Sequence, residues 1–391
     1  MRYAQFVERV AGEGSRAWDI HYRARELATQ GRDIIVLSVG DPDFGTPPAI
    51  VEAAYDSLKR GRTHYTSMVG IEPLREAIAE RHRRITGRRV DAGAVVVMAG
   101  AQCGLFASMM CLAQPGDEVI VPEPMYVTYE AVVGASGARL VQVPLRCERG
   151  FHIDPDDVAA AITPRTRVIL MNFPHNPTGA MITADELEGV AALCRRYDLW
   201  LISDEVYATL TYDGPHRSPA GLPGMGDRTV VVDSLSKSHA MTGWRLGWVV
   251  APGELSYHLA NVTQCLLYGC PPFVQDAALV ALSREFEELE AMRAEFRRRR
   301  DRVAERVNRM PRVRCLTPEG SMFLMIDVRD SGLGSIEFAD RLLDAEGVAV
   351  LPCDGFGPSG VGYLRLSLSA SLDVLEDACD RIEHFLGGLN R

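Results

Sequence analysis

Lys237 stands among hydroxyl side chains, with Ser234 and Ser236 before it and Arg245 shortly after it. A lysine that forms a Schiff base with an aldehyde cofactor needs phosphate-binding groups nearby, and two serines with a fork-shaped guanidinium supply them. Apolar runs before and after this segment predict buried strands, and open α/β sheets bind ligands where such strands end. The pattern therefore indicates a site for pyridoxal phosphate.

Asp204, Asn176 and the segment 98–104 could complete such a site. Asp204 follows an apolar strand-like run, as Lys237 does, so both side chains could reach one crevice, where a carboxylate would pair with a pyridinium nitrogen. The segment 98–104 predicts a strand that opens into a helix, whose free N–H groups would bind a phosphate. Asn176, in a turn-rich loop, could donate to a phenolate oxygen. Taken singly, each has a simpler interpretation: Asp204 as a helix or turn cap, the segment 98–104 as a tight turn, and Asn176 as part of an Asx-type turn.

The composition is that of an ordinary globular protein. The chain has 391 residues, of which 47% are hydrophobic, and a net charge of -10 at pH 7. This charge disfavours nucleic acid and anionic membranes as partners, because both need a concentrated basic surface. The arginine run at 297–300 is flanked by acidic residues and predicts a solvated helix face.

Cysteine, histidine and N-terminal patterns favour a cytoplasmic protein. The nine cysteines form no Cys-x-x-Cys pair, and an odd number cannot pair completely, which fits a reducing compartment. The nine histidines show no His-Glu-x-x-His spacing, so we expect no metal. The N-terminus lacks an apolar signal core, and no run approaches the roughly 18 apolar residues of a membrane span.

Alternating strand and helix patterns predict an α/β fold with a mostly parallel sheet that is covered on both faces. A capping box at 183–186 predicts the start of one helix, and Asp154-Pro155 predicts the start of another. The predicted strands of the sheet are 95–99, 118–121, 139–143, 167–171, 199–203, 229–233 and 246–250.

The C-terminal part predicts a smaller α+β unit. The segment 285–310 spaces its apolar residues at near-helical intervals, which is typical of a long, half-exposed helix. After it we expect strands at 322–326, 348–351 and 363–368 and helices at 336–345 and 373–386. We therefore expect an N-terminal segment at 1–47 that packs with the small domain, a large cofactor-binding domain at 48–284, and a connecting helix with the small domain at 285–391.

Six motifs occur along the chain in one order, and together they resemble a known family. They are Gly40-Asp41-Pro42-Asp43-Phe44, His64-Tyr65-Thr66, Asn176-Pro177-Thr178-Gly179, Asp204-Glu205-Val206-Tyr207, Ser234-Leu235-Ser236-Lys237 through Arg245, and Arg365-Leu366-Ser367. They resemble the class I and II aminotransferases, pyridoxal-phosphate enzymes of fold type I. The resemblance covers nearly the whole chain and implies a large domain with a seven-stranded sheet.

The resemblance implies a role for each matching residue. Lys237 would hold the cofactor as an internal aldimine and move a proton between the substrate α-carbon and C4′. Asp204 would pair with the pyridine nitrogen, Tyr207 and Asn176 would hydrogen-bond the ring oxygen, and Arg365 would bind the substrate α-carboxylate. The cofactor phosphate would be bound by Ser234, Ser236, Arg245 and the backbone of Ala101 and Gln102. Tyr126 would stack on the face of the cofactor ring, and the backbone of Gly40 would help to bind the substrate carboxylate. Tyr65 would reach the cofactor phosphate of a neighbouring subunit. The role of Tyr65 implies a homodimer.

The amino donor is a separate question. In aspartate-specific relatives, the position of Gln102 resembles a lysine that helps to hold the distal carboxylate of the substrate. A neutral residue there removes a charge-assisted partner worth about 1.5–3 kcal/mol, so aspartate is not the expected donor. The segments 99–103, 123–131, 236–245 and 356–359 are similar to the arginine:pyruvate transaminases of the family. This similarity implies L-arginine as donor and pyruvate as acceptor.

Trp18 and Asp19 are candidates for recognising the donor side chain, since a guanidinium could stack on Trp18 and pair with Asp19. The simpler interpretation makes Trp18 a core anchor and Asp19 a solvated turn residue. Other functions stay open: an aminotransferase for aromatic, neutral or aspartate donors, and a carbon–sulfur β-lyase on the same scaffold. A cofactor-binding regulatory module is disfavoured because no helix-turn-helix domain or basic patch accompanies the fold.

Overall fold

A computed structural model describes residues 2–389, apart from the side chains of Glu13, Ser15 and Arg16. The helices are α1 Gln5–Arg9, α2 Asp19–Thr29, α3 Pro48–Lys59, α4 Glu72–Thr86, α5 Ala101–Leu112, α6 Tyr129–Ser136, α7 Pro155–Ala161, α8 Ala184–Tyr197, α9 Leu235–Ser238, α10 Gly253–Leu266, α11 Pro272–Ser283, α12 Glu287–Arg309, α13 Ser335–Glu346 and α14 Leu372–Gly388. The strands are β1 Ile35–Val36, β2 Val95–Met98, β3 Glu118–Glu123, β4 Arg139–Pro144, β5 Thr166–Asn172, β6 Trp200–Asp204, β7 Thr229–Ser234, β8 Gly247–Val250, β9 Arg314–Cys315, β10 Phe323–Asp327, β11 Val348–Ala349, β12 Leu351–Pro352 and β13 Tyr363–Ser367.

The central sheet has seven strands in the order β2-β8-β7-β6-β5-β3-β4. Neighbouring strands are parallel except at β8, which is antiparallel to both β2 and β7. This confirms the predicted sheet, and each predicted strand lies within two residues of an observed one. Because β5, β6 and β7 are parallel, their carboxyl ends lie at one edge, where the site residues that follow each strand come together.

Helices cover both faces of the sheet, as its apolar strands require. Residues of β2, β3 and β7 are buried throughout, which is typical of a parallel sheet between two helical layers. The α8 helix begins at the predicted capping box, in which Thr183 and Glu186 bond each other's backbone N–H groups. In the described part of the chain, none of the helices combines the length and apolar character that crossing a membrane requires.

The C-terminal part contains a four-stranded sheet in the order β12-β13-β10-β9. A single strand at 348–351 was predicted, and this is wrong. The chain changes partner there, so β11 pairs in parallel with β1, whereas β12 pairs with β13. The β1 strand was not predicted, since two residues carry no periodicity. Its pairing attaches the N-terminal segment to the C-terminal part.

Candidate active site

The site is a pocket of about 220 Å³ between the carboxyl ends of β5, β6 and β7 and the start of α5. It lies at the edge of the sheet where the sequence analysis predicted a ligand site. Asp19 and Tyr65, which the sequence also indicated, do not line it. The predicted residues that do line it are Trp18, Gly40, Ala101, Gln102, Tyr126, Asn176, Asp204, Tyr207, Ser234, Ser236, Lys237, Arg245 and Arg365.

Lys237 reaches the pocket from the short helix α9, which begins directly after β7. The hydroxyl of Ser234 caps this helix by accepting the Ser236 N–H at 3.3 Å. The Nζ of Lys237 donates to the carbonyl oxygen of Gly40. Burial lowers the pKa of Lys237 to about 8, with Asp41 opposing the change. This amine therefore loses its proton much closer to neutral pH than an exposed lysine does.

Asp204 is the last residue of β6, and its carboxylate is almost fully buried. The hydroxyl of Tyr129 donates to its Oδ2 at 2.7 Å, and the Val206 N–H donates to its Oδ1 at 3.3 Å. Burial raises the pKa of Asp204 to about 6, while the Tyr129 hydrogen bond lowers it. A buried carboxylate with spare acceptor capacity is suited to a cationic partner such as a protonated ring nitrogen.

Asn176 connects the loops that follow two neighbouring strands. Its Oδ1 accepts from Arg365 Nη1 at 2.9 Å, and its Nδ2 donates to the Tyr207 hydroxyl at 3.4 Å. The backbone N–H of Asn176 donates to Asn172 Oδ1 at 3.0 Å, and Asn172 Nδ2 donates to the carbonyl of Asp204 at 2.8 Å. Because all these groups are buried, the network holds the amide of Asn176 in one orientation.

Arg365 lies on β13 and is 1% exposed. Its Nη2 donates to the carbonyl of Ser38 at 2.8 Å, and its guanidinium carbon lies 4.1 Å from the centroid of the Phe323 ring. These contacts fix the plane of a cation that lines the pocket. A planar guanidinium held in this way is suited to a bidentate carboxylate ligand.

Anion-binding groups converge at the start of α5. Gly100 is the N-cap of this helix, with φ of 82°, and none of the described side chains caps its first N–H groups. A Cβ atom at Gly100 would lie 2.5 Å from Arg245 Nη2, so the glycine is what lets the guanidinium approach the helix N-terminus. Ser234 and Ser236 line the same pocket. Together these groups form a cradle for a phosphate dianion.

Three of the pocket residues without a role assigned from the sequence contact the predicted site residues. Tyr129 begins α6, Asn172 ends β5 and Phe323 begins β10. A place at the end of an element was the only sequence signal available, because their contacts depend on how distant elements pack. Tyr129 and Asp204, for example, are 75 positions apart in the chain.

Of the residues that the sequence analysis linked to the donor, Trp18 and Gln102 line the pocket. Trp18 is half-buried, whereas Asp19 beside it is exposed at the start of α2. Gln102 Oε1 accepts the Thr128 hydroxyl at 3.0 Å. No charged side chain stands at position 102, as the sequence indicated.

The family model for aminotransferase class I and II matches residues 32–382. The chain belongs to the class I and II aminotransferases. The arginine–pyruvate transaminase AruH of Pseudomonas aeruginosa is 58% identical over 382 residues, which cover 98% of this chain and 97% of that enzyme. The aromatic-amino-acid aminotransferase 2 of Thermococcus litoralis is 37% identical and covers 92% of this chain and 94% of that enzyme.

Solved aminotransferase structures share the fold of this one. The aspartate aminotransferase from Thermus thermophilus with maleate superposes with a TM-score of 0.93 at 36% identity, covering 98% of this chain and 100% of that one. The chain is therefore a pyridoxal-phosphate-dependent transaminase of fold type I. The aromatic aminotransferase from Pyrococcus horikoshii shares this fold too, with a TM-score of 0.89, so fold alone does not select the donor.

The residues of this aminotransferase fit pyridoxal phosphate. Arg245, two serine hydroxyls and the uncapped N-terminus of α5 match the charge and the acceptors of a phosphate. Asp204 offers a buried carboxylate for the ring nitrogen, and Lys237 offers a primary amine for the aldehyde. The absence of a Cβ at Gly100 lets the Arg245 guanidinium lie beside the N-terminus of α5, where it would meet the phosphate.

Proposed function

We propose that this aminotransferase moves the α-amino group of L-arginine to pyruvate, giving 2-oxo-5-guanidinovalerate and alanine. The observation that carries the proposal is the 58% identity to arginine–pyruvate transaminase AruH, which extends over 98% of the chain. The neutral Gln102 supports it, because an aspartate side chain would find no charge-assisted partner at that position. Aromatic and neutral amino acids are the alternative donors.

Lys237 is proposed to attach the cofactor and then to carry the proton. When bound, pyridoxal phosphate withdraws electrons from the bonds of the substrate α-carbon. The Nζ of Lys237 takes the α-proton from one side of the substrate, and for this step it must be neutral. The lowered pKa of about 8 supports this role, because the neutral amine is accessible near neutral pH.

Asp204, Asn176 and Tyr207 are proposed to orient the cofactor and to set its charge. The carboxylate of Asp204 would hold the proton on the ring nitrogen, which keeps the ring electron-poor. Asn176 and Tyr207 would donate to the ring oxygen, and the face of Tyr126 would stack on the ring. Their common location in one pocket supports the set.

Arg365 is proposed to bind the α-carboxylate of donor and acceptor alike, with the backbone of Gly40 beside it. Its buried, fixed guanidinium supports this role. Because both substrates would need the same arginine, the first product must leave before the second substrate binds. Ping-pong kinetics follow, with parallel lines in double-reciprocal plots as donor and pyruvate are varied together. Intersecting lines would contradict the shared site.

Trp18 and Asp19 are proposed to recognise the donor guanidinium. Trp18 supports the idea because it lines the pocket, whereas Asp19 would have to turn inward from its exposed position. The alternative is that Trp18 only anchors the N-terminal segment. Kinetics of the donor half-reaction of Asp19→Asn, measured without pyruvate, distinguish the two: recognition predicts a larger fall in the rate constant for arginine than for alanine. An equal change for both donors would exclude Asp19.

A homodimer with shared sites is proposed from Tyr65. Its side chain is 85% exposed and its ring lies 5.1 Å from that of Tyr268, which is itself 49% exposed. An exposed aromatic pair is typical of a surface that a partner covers. Sedimentation of the holoenzyme should give the mass of two chains. Tyr65→Phe should weaken cofactor retention if the hydroxyl reaches the partner's phosphate.

A cytoplasmic location is also proposed. All nine cysteines are free thiols, and four of them are buried. Free thiols persist in a reducing compartment, whereas an oxidising one favours disulfides.

A donor screen tests the function directly. The holoenzyme is mixed with pyruvate and each amino acid in turn, and alanine is measured. Arginine should give the highest kcat/KM, and a clear preference for another donor would reject the proposed specificity. A carbon–sulfur β-lyase would instead release ammonia from a cysteine-like substrate without making alanine. A regulatory module would change the absorbance of the bound cofactor without turnover.

The attachment residue can be mapped with little ambiguity, because the chain contains two lysines, Lys59 and Lys237. Lys59 is exposed and pairs with Asp56 at 2.7 Å on α3. Borohydride reduction of the holoenzyme followed by peptide mapping should place the cofactor on Lys237. Lys59→Arg is the matched control and should retain the label, and cofactor on any other residue would overturn the assignment.

A further inference from the structure

A second cleft, of about 580 Å³, lies beside the turn that follows Lys237. Its walls come from α4, from the turn Ser238-His239, from the end of α11 and from the start of α12. None of the residues that line it lines the active-site pocket. Its size is in the range of small-molecule sites. We name it the arginine cleft after Arg81, Arg84, Arg284 and Arg293, which all line it.

Arg81 is the central feature of the arginine cleft. Its side chain is only 17% exposed, yet the one hydrogen bond found for it among the described residues joins Nη2 to Asp233 Oδ2 at 3.2 Å. Its Nε is buried with no partner in that part of the chain. A guanidinium has five N–H donors, and a largely buried one is normally well satisfied. Thr209 also lines the cleft, and its hydroxyl is buried with no partner among the described residues.

The charges around the cleft leave an excess of cations. Arg84 and Arg284 are exposed and form no ion pair with any residue in 2–389. Two of the three glutamates on the walls are already neutralised, Glu80 by Arg83 at 2.5 Å and Glu290 by Arg293 at 2.6 Å. The third, at position 285, is exposed. The side chains free to meet a ligand are therefore mainly arginines.

We propose that the arginine cleft binds a small oxyanion, a carboxylate or a phosphate group, through Arg81, Arg84 and Arg284. Guanidinium groups bind such anions with paired, charge-assisted hydrogen bonds. The anion would supply acceptors to Arg81 and neutralise the two exposed arginines at the rim. This site is separate from the substrate carboxylate site at Arg365.

The arginine cleft is connected to the active site through three residues. Arg81 binds Asp233, and Asp233 Oδ1 accepts the backbone N–H of Ser234 at 2.7 Å. Ser234 lines the cofactor pocket and caps the helix that carries Lys237. An anion on the remaining donors of Arg81 would place a second negative charge beside the Arg81–Asp233 ion pair, which weakens that pair and changes the support of Ser234. Occupancy of the cleft and cofactor affinity are therefore coupled, and linkage makes the coupling reciprocal.

Calorimetry of the holoenzyme tests the site. Inorganic phosphate and acetate are titrated separately at constant ionic strength, so that the better probe identifies the class of oxyanion. In Arg84→Gln and Arg284→Gln, binding of the better probe should weaken roughly ten-fold or more for each charge removed. Arg297→Gln is the matched control, since Arg297 is an exposed arginine on α12 that does not line the cleft. The control should bind as the wild type does.

Each other outcome overturns the proposal. Failure of both probes to bind shows that the cleft takes no simple oxyanion. Equal affinity in the cleft variants and in the control places the binding elsewhere, including at the substrate carboxylate site. None of these outcomes bears on the donor preference, which the alanine assay measures independently. For the coupling, phosphate should shift the cofactor dissociation constant more in the wild type than in Arg81→Gln, because its direct competition with the cofactor at the start of α5 is common to both proteins. Equal shifts in the two proteins would exclude the coupling.

Discussion

The Tyr129 hydroxyl makes the one side-chain hydrogen bond to the Asp204 carboxylate found in the described part of the chain, at 2.7 Å. Tyr129→Phe removes that hydroxyl and keeps the ring. Because burial already raises the pKa of Asp204 to about 6, removal of a donor to the charged form should raise it further. In its proposed role, Asp204 pairs with the cofactor ring nitrogen in the ionised form. The variant should therefore bind pyridoxal phosphate poorly near neutral pH.

The size of the effect follows from the hydrogen bond. A bond to a charged group contributes about 1.5–3 kcal/mol, and one pKa unit corresponds to about 1.4 kcal/mol, so the pKa should rise by about one to two units. At pH 7 the ionised fraction of Asp204 then falls from about nine-tenths to between a half and a tenth. Cofactor affinity should fall about two- to ten-fold at pH 7 and recover almost fully at pH 9.

Cofactor dissociation constants of the apoprotein between pH 6 and pH 9 measure this directly. The ionisations of the cofactor itself are common to all variants, so they cancel in the ratio of variant to wild type. Tyr212→Phe is the matched control, because it removes another buried hydroxyl, which donates to the Ser321 carbonyl at 2.5 Å. The reasoning is refuted if the ratio of the Tyr129→Phe dissociation constant to that of the wild type does not change with pH. It is also refuted if this ratio equals the one for Tyr212→Phe.

Three further predictions address other parts of the molecule. Gly100→Ala should weaken cofactor binding at least ten-fold, because φ is 82° and the new Cβ would lie 2.5 Å from Arg245 Nη2. Gly116→Ala, with φ of 100° and no described atom within 4 Å of the new Cβ, should leave that affinity unchanged. Hydrogen bonds to Glu186 and Glu319 raise the pKa of His152 from 6.5 to about 10. Its contribution to the free energy of unfolding is therefore complete below pH 6.5 and is lost as the pH rises towards 10. Urea unfolding of His152→Asn should show a loss of about 1–2 kcal/mol at pH 6 and almost none at pH 10.5. Arg365→Lys should raise KM for arginine and alanine by the same factor, about ten-fold or more, and an effect on one donor alone would contradict a shared carboxylate clamp.

The sequence predicted most of the large sheet, because each strand is a short β-branched run between turn residues and that signal is local. Helix starts such as the capping box at Thr183 are local for the same reason. The division of the predicted strand 348–351 into two strands could not be predicted from such a local pattern. It depends on β1, which is formed only when a distant segment pairs with it.

For the site, the sequence by itself determined the chemical groups. Lys237, Asp204 and Arg365 were identified by residue type and by the order of their motifs, and the structure brings them into one pocket. Only the tertiary structure showed that Tyr129 bonds Asp204, and that Arg81 connects a separate cleft to the cofactor pocket through Asp233. These contacts join positions 75 and 152 residues apart. Strand order and helix packing bring such positions together, and no local pattern in the chain encodes which side chains then meet.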